Sequence, residues 1–206
     1  MHRSVPPQLC LIGPHGAGKT TLATRLADHL GVEFRDEIGR HLREEALAAD
    51  PEQHVLRFDE AFDRAVVEGE IGRDAARGHR AGFVVETWHP GNLAYARIRS
   101  PRVAADLVAA AREAARRCGS LMVVPVIAPR EVLMARCNEP GGTLEDRTDF
   151  FLRVATEATR TARRWGLHLL PAVDTSEATI EACVESILGA LGMATRTAAR
   201  QTRSAA

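Results

Sequence analysis

A short glycine-rich stretch near the start of the sequence has the residue types and spacing needed to hold a phosphate. Residues 13–20 read Gly-Pro-His-Gly-Ala-Gly-Lys-Thr and match the pattern G-x-x-x-x-G-K-[ST] in full. The glycines let the backbone wrap so that successive N–H groups point inward at phosphate oxygens. We expect Lys19 to reach the β- and γ-phosphates of a nucleotide and the Thr20 hydroxyl to hold Mg²⁺.

The sequence on either side of this loop is the context that such a loop requires. The apolar residues 9–12 predict a buried strand before it, and leucines four residues apart predict a helix over residues 20–30. The start of that helix adds partial positive charge that favours an anion. The alternative to a phosphate-binding loop is a glycine-rich turn that contains a lysine by chance. His15 is expected to use its backbone N–H rather than its ring. The predicted nucleotide contacts are Gly13, Pro14, His15, Gly16, Ala17, Gly18, Lys19, Thr20 and Thr21.

Apolar runs and amphipathic segments alternate along the rest of the chain. Further strands are predicted at residues 32–34, 82–85, 121–127 and 167–173, and helices at about 36–47, 51–77, 103–114, from 129, from 151 and at 180–191. This order predicts a three-layer α/β fold with a central parallel five-stranded sheet flanked by helices. Ligands of such sheets lie at the carboxyl ends of the strands. We predict one domain over residues 1–192 and a disordered polar tail over 193–206.

The second and third predicted strands each end in acidic residues. Asp36 and Glu37 follow the second strand, and a single acid, Glu86, follows the third. A carboxylate at the end of the second strand would face the phosphate loop across a cleft and could take a proton from an acceptor. We assign that role to Glu37, because Asp36 has an alternative as a helix N-cap. An ordinary acidic first turn is the alternative for both residues.

The segment after Glu86 resembles a known family. Gly91-Asn92-Leu93-Ala94-Tyr95 is similar, at the same distance from the acid, to a segment of thymidylate kinases, and deoxynucleoside kinases have a comparable strand end. The resemblance covers about residues 9–192 and implies the P-loop NTPase fold. It also implies that Glu86 supports Mg²⁺. The sequence departs from the family at Thr87, where the family has an arginine that helps to hold the acceptor.

Other parts of the chain resemble the same kinases. Glu37-x-x-Arg40 resembles a Glu-x-x-Arg pattern that follows the second strand in nucleoside-kinase-like P-loop proteins. In those proteins the carboxylate acts as the base and the arginine steadies the site, which implies a substrate contact for Arg40. The turn after the last predicted strand packs against the donor adenine in the family, which implies a donor contact near Asp174. The alternative for the Asp174 side chain is a cap on the final helix.

Two arginines flank residues 138–144, where small kinases close a lid over the donor phosphates. Arginines in such a lid neutralise charge that develops on the transferred group, so we predict Arg136 and Arg147 as catalytic residues. Residues 145–151 resemble the thymidylate kinase lid. We therefore predict a lid near residues 136–150, with hinges at Gly141 and Gly142, whereas a surface loop with solvated arginines is the alternative.

Aromatic residues make up only 4% of the chain, so each one near a strand end is informative. Phe58 and Phe62 are spaced by one helical turn, and Trp88 and Tyr95 follow the third strand. A nucleobase could stack on Phe58 or Phe62, although core packing is the alternative for one of the two. We predict all four as acceptor-binding residues.

Composition limits the function classes. The chain has 206 residues, with 27 Lys and Arg against 27 Asp and Glu, so nothing global favours a nucleic-acid polymer or a membrane as partner. No apolar run is long enough for a transmembrane helix, and residues 1–7 lack the apolar region of a secretory signal. The four scattered cysteines predict reduced thiols in a cytoplasmic protein without structural zinc.

These patterns together predict a phosphotransferase that depends on ATP and Mg²⁺ and moves the γ-phosphoryl group to a nucleoside or nucleoside monophosphate. The expected partner is this small-molecule acceptor, and a homodimer is one expected state because related enzymes often dimerise. The alternatives are a kinase for a non-nucleotide hydroxyl and an ATP-binding regulatory ATPase. We set GTPases aside because no Asn/Thr-Lys-x-Asp occurs, and AAA+ ATPases because the third strand ends in one acid.

Overall fold

The computed structural model describes residues 6–50, 56–77, 81–137 and 142–193. Its strands are β1 (Gln8–Ile12), β2 (Glu33–Arg35), β3 (Phe83–Glu86), β4 (Met122–Ile127), β5 (His168–Leu169) and β6 (Val173–Asp174). Its helices are α1 (Lys19–Leu30), α2 (Ile38–Ala49), α3 (Glu60–Arg77), α4 (Trp88–Arg99), α5 (Pro101–Arg117), α6 (Arg130–Arg136), α7 (Leu144–Arg164) and α8 (Ile180–Ala190).

The strands form one parallel sheet in the order β2-β3-β1-β4-β5, with β6 also paired to β4. The predicted α/β fold with a parallel sheet is therefore confirmed. The last predicted strand is divided in two. Pro171 has no N–H to donate, and pairing to β4 resumes only at Val173.

Both faces of the sheet are covered by helices, which is why the central strands are almost continuously apolar. Leu9 and Leu11 of β1 belong to a core shared with α1 and α8. Cys10 and Ile12 face the opposite side and belong to a core shared with α4 and α7. Because β1 is buried on both faces between β3 and β4, its carboxyl end delivers the phosphate loop to the middle of the sheet edge.

Three helices differ from the sequence prediction. α3 begins at Glu60 rather than near residue 51, so Phe58 lies before the helix, and residues 51–55 lie outside the described part of the chain. α7 begins at Leu144, where Thr143 and Asp146 form a capping box that a search for apolar periodicity does not detect. α4 was not predicted, because Pro90 reads as a helix breaker although a first turn tolerates it.

The chain turns sharply between β3 and α4. Thr87 and Trp88 have φ of 66° and 47°, in the left-handed region that L-residues disfavour. Trp88 is fully buried, and its Nε1 donates to Asp74 Oδ2 at 2.9 Å. The turn places Glu86 at the strand end and directs the next side chains into the core.

The predicted tail lies almost wholly outside the described residues. Within the ranges that the structure describes, no helix is both long and apolar enough to span a bilayer. Gly141, one of the two predicted hinges, is also outside those ranges, whereas Gly142 has a positive φ of 63°.

The turn after β3 makes Gly91 a sensitive position. An added Cβ would lie 2.6 Å from Thr87 Cγ2, so we expect Gly91→Ala to destabilise the protein by about 1–3 kcal/mol through overpacking. The matched control is Gly189→Ala on α8, where nothing lies within 4 Å of the new Cβ, and a gain of about 0.5–1 kcal/mol is expected. Urea unfolding measures both, and equal effects at the two sites would contradict this account.

Candidate active site

The phosphate loop is held in a wrapped shape by glycines. Gly16 and Gly18 have φ of 82° and 78°, which other residues rarely adopt. A Cβ at Gly13 would lie 2.1 Å from the Val126 carbonyl oxygen on β4, so only glycine fits there. Gly18 directly precedes α1, and the loop therefore leads straight into a helix N-terminus.

A polar cavity of about 270 Å³ lies at this loop, and we call it the phosphate cavity. The predicted site residues that line it are His15, Gly16, Gly18, Lys19, Thr20, Thr21, Glu37, Arg40, Glu86 and Arg136. The structure thus brings together residues from four separate segments of the chain. The other lining residue, Arg43, was not predicted.

The remaining loop residues face elsewhere. Gly13 and Pro14 line a separate groove of about 510 Å³ between β4 and α7. Ala17 is buried, and its carbonyl accepts a hydrogen bond from Thr175 Oγ1 at 2.9 Å. Consistent with a minor role for its ring in phosphate binding, His15 stacks on Phe151 with 5.0 Å between ring centroids.

Lys19 is poised within the loop. Its Nζ donates to the Pro14 carbonyl at 2.9 Å. Burial lowers the pKa of Lys19 from its usual value, although the nearby carboxylates of Glu86 and Glu37 oppose that shift. A partly desolvated ammonium next to a helix N-terminus is suited to bind phosphate oxygens.

Glu86 is the centre of a compact cluster at the end of β3. Its Oε2 accepts from Thr20 Oγ1 at 2.9 Å, and its Oε1 accepts from Arg40 Nη2 at 2.6 Å. The same Arg40 nitrogen donates to Thr20 Oγ1 at 2.8 Å. Arg40 Nη1 pairs with Asp36 Oδ1 at 2.8 Å. Asp36 also accepts from the Glu37 backbone N–H, while Glu37 itself is the N-cap residue of α2.

Burial dominates the electrostatics of this cluster. Only 1% of Glu86 is exposed, and burial together with the negative charge of Glu37 raises the pKa of Glu86 from 4.5 to about 7. Lys19, Arg40 and Thr20 oppose that shift. Partial burial of Arg40 acts to lower the pKa of its guanidinium. The surrounding carboxylates, Glu86 first among them, outweigh that effect and raise this pKa.

The donor set fits a magnesium ion bound with a nucleotide. Thr20 and Glu86 offer a hydroxyl and carboxylate oxygens side by side, and Mg²⁺ prefers one or two such ligands plus phosphates and water. No group of three or more His, Cys, Asp or Glu side chains that could hold a metal alone occurs among the described residues. Thr20 and Glu86 would supply the protein ligands, and the phosphates that Lys19 and the loop bind would add further oxygen ligands.

A second, smaller pocket adjoins the phosphate cavity, and we call it the acceptor pocket. Its lining comprises Glu37, Gly39, Arg43, Phe58, Phe62, Asp63, Val66, Asn92, Tyr95 and Arg99. Phe58 and Phe62 stack with 4.0 Å between ring centroids although Phe58 precedes the helix. Three of the four predicted aromatic residues thus meet here.

Trp88 does not join them. It is fully buried in the core shared by α4 and α7 and bonded to Asp74, and it lines neither pocket. The left-handed backbone at Thr87 and Trp88 turns the indole inward. Its predicted role in acceptor binding is therefore replaced by a packing role.

Two residues connect the pockets. Glu37 and Arg43 line both the phosphate cavity and the acceptor pocket. Glu37 is thus where a base between donor and acceptor would have to lie. Arg43 lies three residues after Arg40 on α2, and the spacing of three from Glu37 through Arg40 to Arg43 is the sequence signal that could have revealed it.

Other residues of the acceptor pocket also escaped prediction. Arg99 pairs with buried Asp63 and lies over the rings of Phe58, Phe62 and Tyr95. Asn92 is 2% exposed, and its Oδ1 has no hydrogen-bond partner among the described residues. No local motif distinguishes these residues, because the contacts come from packing of α3 against α4.

The predicted lid arginines have different surroundings. Arg136 ends α6, lines the phosphate cavity and donates to the Thr175 carbonyl at 3.0 Å. Arg147 is in the first turn of α7, donates to the Gly142 carbonyl at 2.9 Å, and is not among the residues lining the cavity.

The turn after β6 contacts the phosphate loop through Thr175. Asp174 is exposed and accepts from the Ser176 N–H at 2.8 Å, and hydrogen bonds from the side chain and the backbone of Ser176 lower the pKa of its carboxyl. It does not cap α8, because Thr179 accepts from Ala182 there. Thr175, which was not predicted, ties this turn to the phosphate loop and to Arg136.

Comparison with known proteins shows the family of this chain. A family model described as AAA domain matches residues 8–173, which is most of the chain, and the protein belongs to that family. The sequence analysis set AAA+ ATPases aside, whereas the matched family carries the description AAA domain. The predicted resemblance to P-loop kinases of nucleosides and nucleotides is also confirmed.

Individual relatives are more distant. Adenylate kinase 9 of Mus musculus is 31% identical over 78 residues, which is 37% of this chain and only 4% of that protein. NadR in complex with NR superposes with a TM-score of 0.65 at 16% identity, over 93% of this chain and 53% of the NadR chain. The chain therefore spans about half the length of NadR.

Two further solved structures share the fold over nearly their full length. Deoxyadenosine kinase from M. mycoides with bound dATP has a TM-score of 0.61 at 10% identity, covering 90% of this chain and 99% of that chain. Shikimate kinase from Acinetobacter baumannii in complex with shikimate has a TM-score of 0.54 at 19% identity, covering 90% and 92%. The shared fold is that of P-loop kinases with quite different acceptors.

The raised pKa of Glu86 predicts a pH-dependent stability difference. Below about pH 4.5 the carboxyl is protonated in both states, whereas between about pH 4.5 and 7 it ionises only in the unfolded chain, which weakens folding as pH rises. Glu86→Gln removes this titration. We expect the stability of the variant relative to wild type to rise by about 3 kcal/mol from about pH 5 to pH 8, measured by urea unfolding. A difference that does not change with pH would contradict the shift.

Proposed function

We propose that this protein is a P-loop kinase that transfers the γ-phosphoryl group of Mg-ATP to a nucleoside or nucleoside monophosphate. The observation that carries the proposal is the position of Glu37, which lines both the phosphate cavity and the acceptor pocket. A simple nucleotide-binding switch needs the phosphate cavity but has no need for a second pocket joined to it by a carboxylate.

In the proposed reaction the loop amides and Lys19 hold the donor phosphates. Thr20 and Glu86 would hold Mg²⁺, which would supply positive charge to neutralise the donor phosphates. Glu37 accepts the proton of the acceptor hydroxyl as the hydroxyl oxygen attacks the γ-phosphorus, in line with the departing ADP. Arg136, with Arg147 if the lid closes over the cavity, offsets negative charge on the transferred group.

The acceptor pocket has a volume of about 30 Å³, so its lining would have to open to admit a ring with polar edges. The stacked Phe58 and Phe62 offer an aromatic face. Asn92 Oδ1, which has no hydrogen-bond partner among the described residues, can accept a hydrogen bond from an N–H or O–H group of the substrate. A nucleobase meets both demands. The structural likeness to deoxyadenosine kinase supports this class of acceptor, as does the likeness to NadR bound to NR.

A non-nucleotide hydroxyl compound is the second candidate acceptor. Thr87 stands where the related kinases have an arginine for the acceptor, and it is 6% exposed. The fold shared with shikimate kinase, whose structure contains shikimate, supports this candidate. A regulatory ATPase is the remaining alternative, and ATP hydrolysis that no acceptor accelerates would favour it.

The wider setting is part of the same proposal. A formal net charge of +0 and four scattered cysteines fit a cytoplasmic enzyme that acts on a small molecule rather than on a nucleic-acid polymer or a membrane. A single domain over residues 1–192 and a homodimer remain predictions.

Lys19 gives the first test of the proposed function. Lys19→Ala removes the loop ammonium, and we expect phosphoryl transfer to fall by at least about 10²-fold because donor charge loses its main cationic partner. The fold should persist, because the Lys19 side chain donates to a carbonyl within its own loop, and Thr20 and Arg40 remain hydrogen-bonded to Glu86. Transfer is measured with labelled ATP against a panel of nucleosides, nucleoside monophosphates and hydroxylated small molecules. Full activity in this variant would refute the kinase assignment.

Glu37 gives the second test. Glu37→Gln keeps the shape of the side chain but cannot accept a proton, so kcat should fall by about 10²–10⁴-fold while ATP binding is kept. The matched control is Glu44→Gln, an exposed residue on the same helix that lines neither pocket. ATP binding is followed by calorimetry, and an equal kcat for both variants would remove Glu37 from the mechanism.

A further inference from the structure

Arg40 lies where a cation would join the two predicted magnesium ligands. One nitrogen, Nη2, is 2.8 Å from Thr20 Oγ1 and 2.6 Å from Glu86 Oε1. Thr20 also donates to the same carboxylate at 2.9 Å. The hydroxyl and the carboxylate are therefore already gathered around one positive group, and that group belongs to the chain itself.

A metal ion and this nitrogen cannot share the gap between the two oxygens. Mg²⁺ demands short, direct contacts to oxygen, and a guanidinium within hydrogen-bond distance of the same atoms would repel it strongly. Binding of the metal to Thr20 and Glu86 therefore requires Nη2 to leave.

The guanidinium has a second anchor that would allow this exchange. Its other terminal nitrogen pairs with Asp36 Oδ1 at 2.8 Å, and Asp36 is 31% exposed whereas Glu86 is 1% exposed. Arg40 itself is 26% exposed and lines the phosphate cavity. The side chain can thus keep its contact with Asp36 at the rim of the cavity while it gives up the buried carboxylate.

We propose that Arg40 is a built-in substitute for the metal: it holds Thr20 and Glu86 in place without Mg²⁺, and metal–nucleotide binding releases its guanidinium into the phosphate cavity. The inference rests on the proposed function, because the metal belongs to that reaction. The released guanidinium then lies beside Arg43, at the boundary with the acceptor pocket. Donor binding would in this way complete the site that receives the acceptor.

The exchange has a measurable cost. Each metal ion that binds must first displace a positive charge from its ligands, so the apparent metal affinity of the wild-type protein is reduced. Removing that charge should therefore tighten metal binding, although Arg40 is not a metal ligand and its loss would impair transfer. The gain in metal affinity separates a substitute cation from a residue that only stabilises the fold, because losing the latter would not tighten metal binding.

The experiment measures Mn²⁺ binding to the full chain without nucleotide, by electron paramagnetic resonance. We expect Arg40→Gln to bind Mn²⁺ about tenfold more tightly than wild type, because one unit of competing charge is gone from the ligands. Arg130→Gln is the matched control, since the Arg130 side chain pairs with Asp149 at 3.0 Å and neither residue lines the cavity. Its Mn²⁺ affinity should equal that of wild type.

Further variants fix the site of binding. The gain should disappear in the double variant Arg40→Gln with Glu86→Gln, because the carboxylate that receives the metal is then absent. Arg40→Met keeps the aliphatic stem without the charge and should show the same gain in Mn²⁺ affinity. It tests the proposal if circular dichroism shows that Arg40→Gln does not fold.

An Arg40 variant that binds Mn²⁺ no more tightly than wild type would overturn the proposal, as would a gain that survives in the double variant. Either result would leave the kinase assignment untouched, because no transfer is measured. Conversely, full activity of Lys19→Ala would refute the kinase assignment without changing the outcome of the Mn²⁺ measurement.

Discussion

The site depends on one buried carboxylate. Glu86 is 1% exposed at the end of a central strand, and a carboxylate in that position is stable only if it is protonated or surrounded by donors and cations. Thr20, Lys19 and Arg40 supply that surrounding from α1, the phosphate loop and α2. The need to compensate one charge therefore fixes how the loop, the first helix and the second helix approach one another.

The parallel sheet brings the segments of this site together at one edge. Because all strands run the same way, the segments after β1, β2, β3 and β4 emerge along one edge. β1 pairs with β3 on one side and β4 on the other, so Glu86 lies directly beside the phosphate loop. The acceptor pocket lies further along, toward α3 and α4. Among the described residues that line the two pockets, only the segment at the start of α2 that contains Glu37 and Arg43 lines both.

The features that could be predicted from the sequence are those with local causes. The phosphate loop has a spacing set by its own hydrogen bonds, and residues at strand ends follow from apolar runs; Lys19, Glu37 and Glu86 are of this kind. Features that depend on packing between distant segments could not be predicted. Arg99 and Asn92 enter the acceptor pocket only because α3 lies against α4, and Trp88 leaves it only because two residues adopt a left-handed backbone.

The hydrogen bond from Thr175 to the Ala17 carbonyl joins residues 158 positions apart. It ties the phosphate loop to the turn after β6. Because this contact joins the first strand–helix junction to the end of the last strand, the shape of the phosphate loop depends on the completed sheet. A chain that has not yet folded as far as β6 therefore lacks part of the support for its phosphate loop.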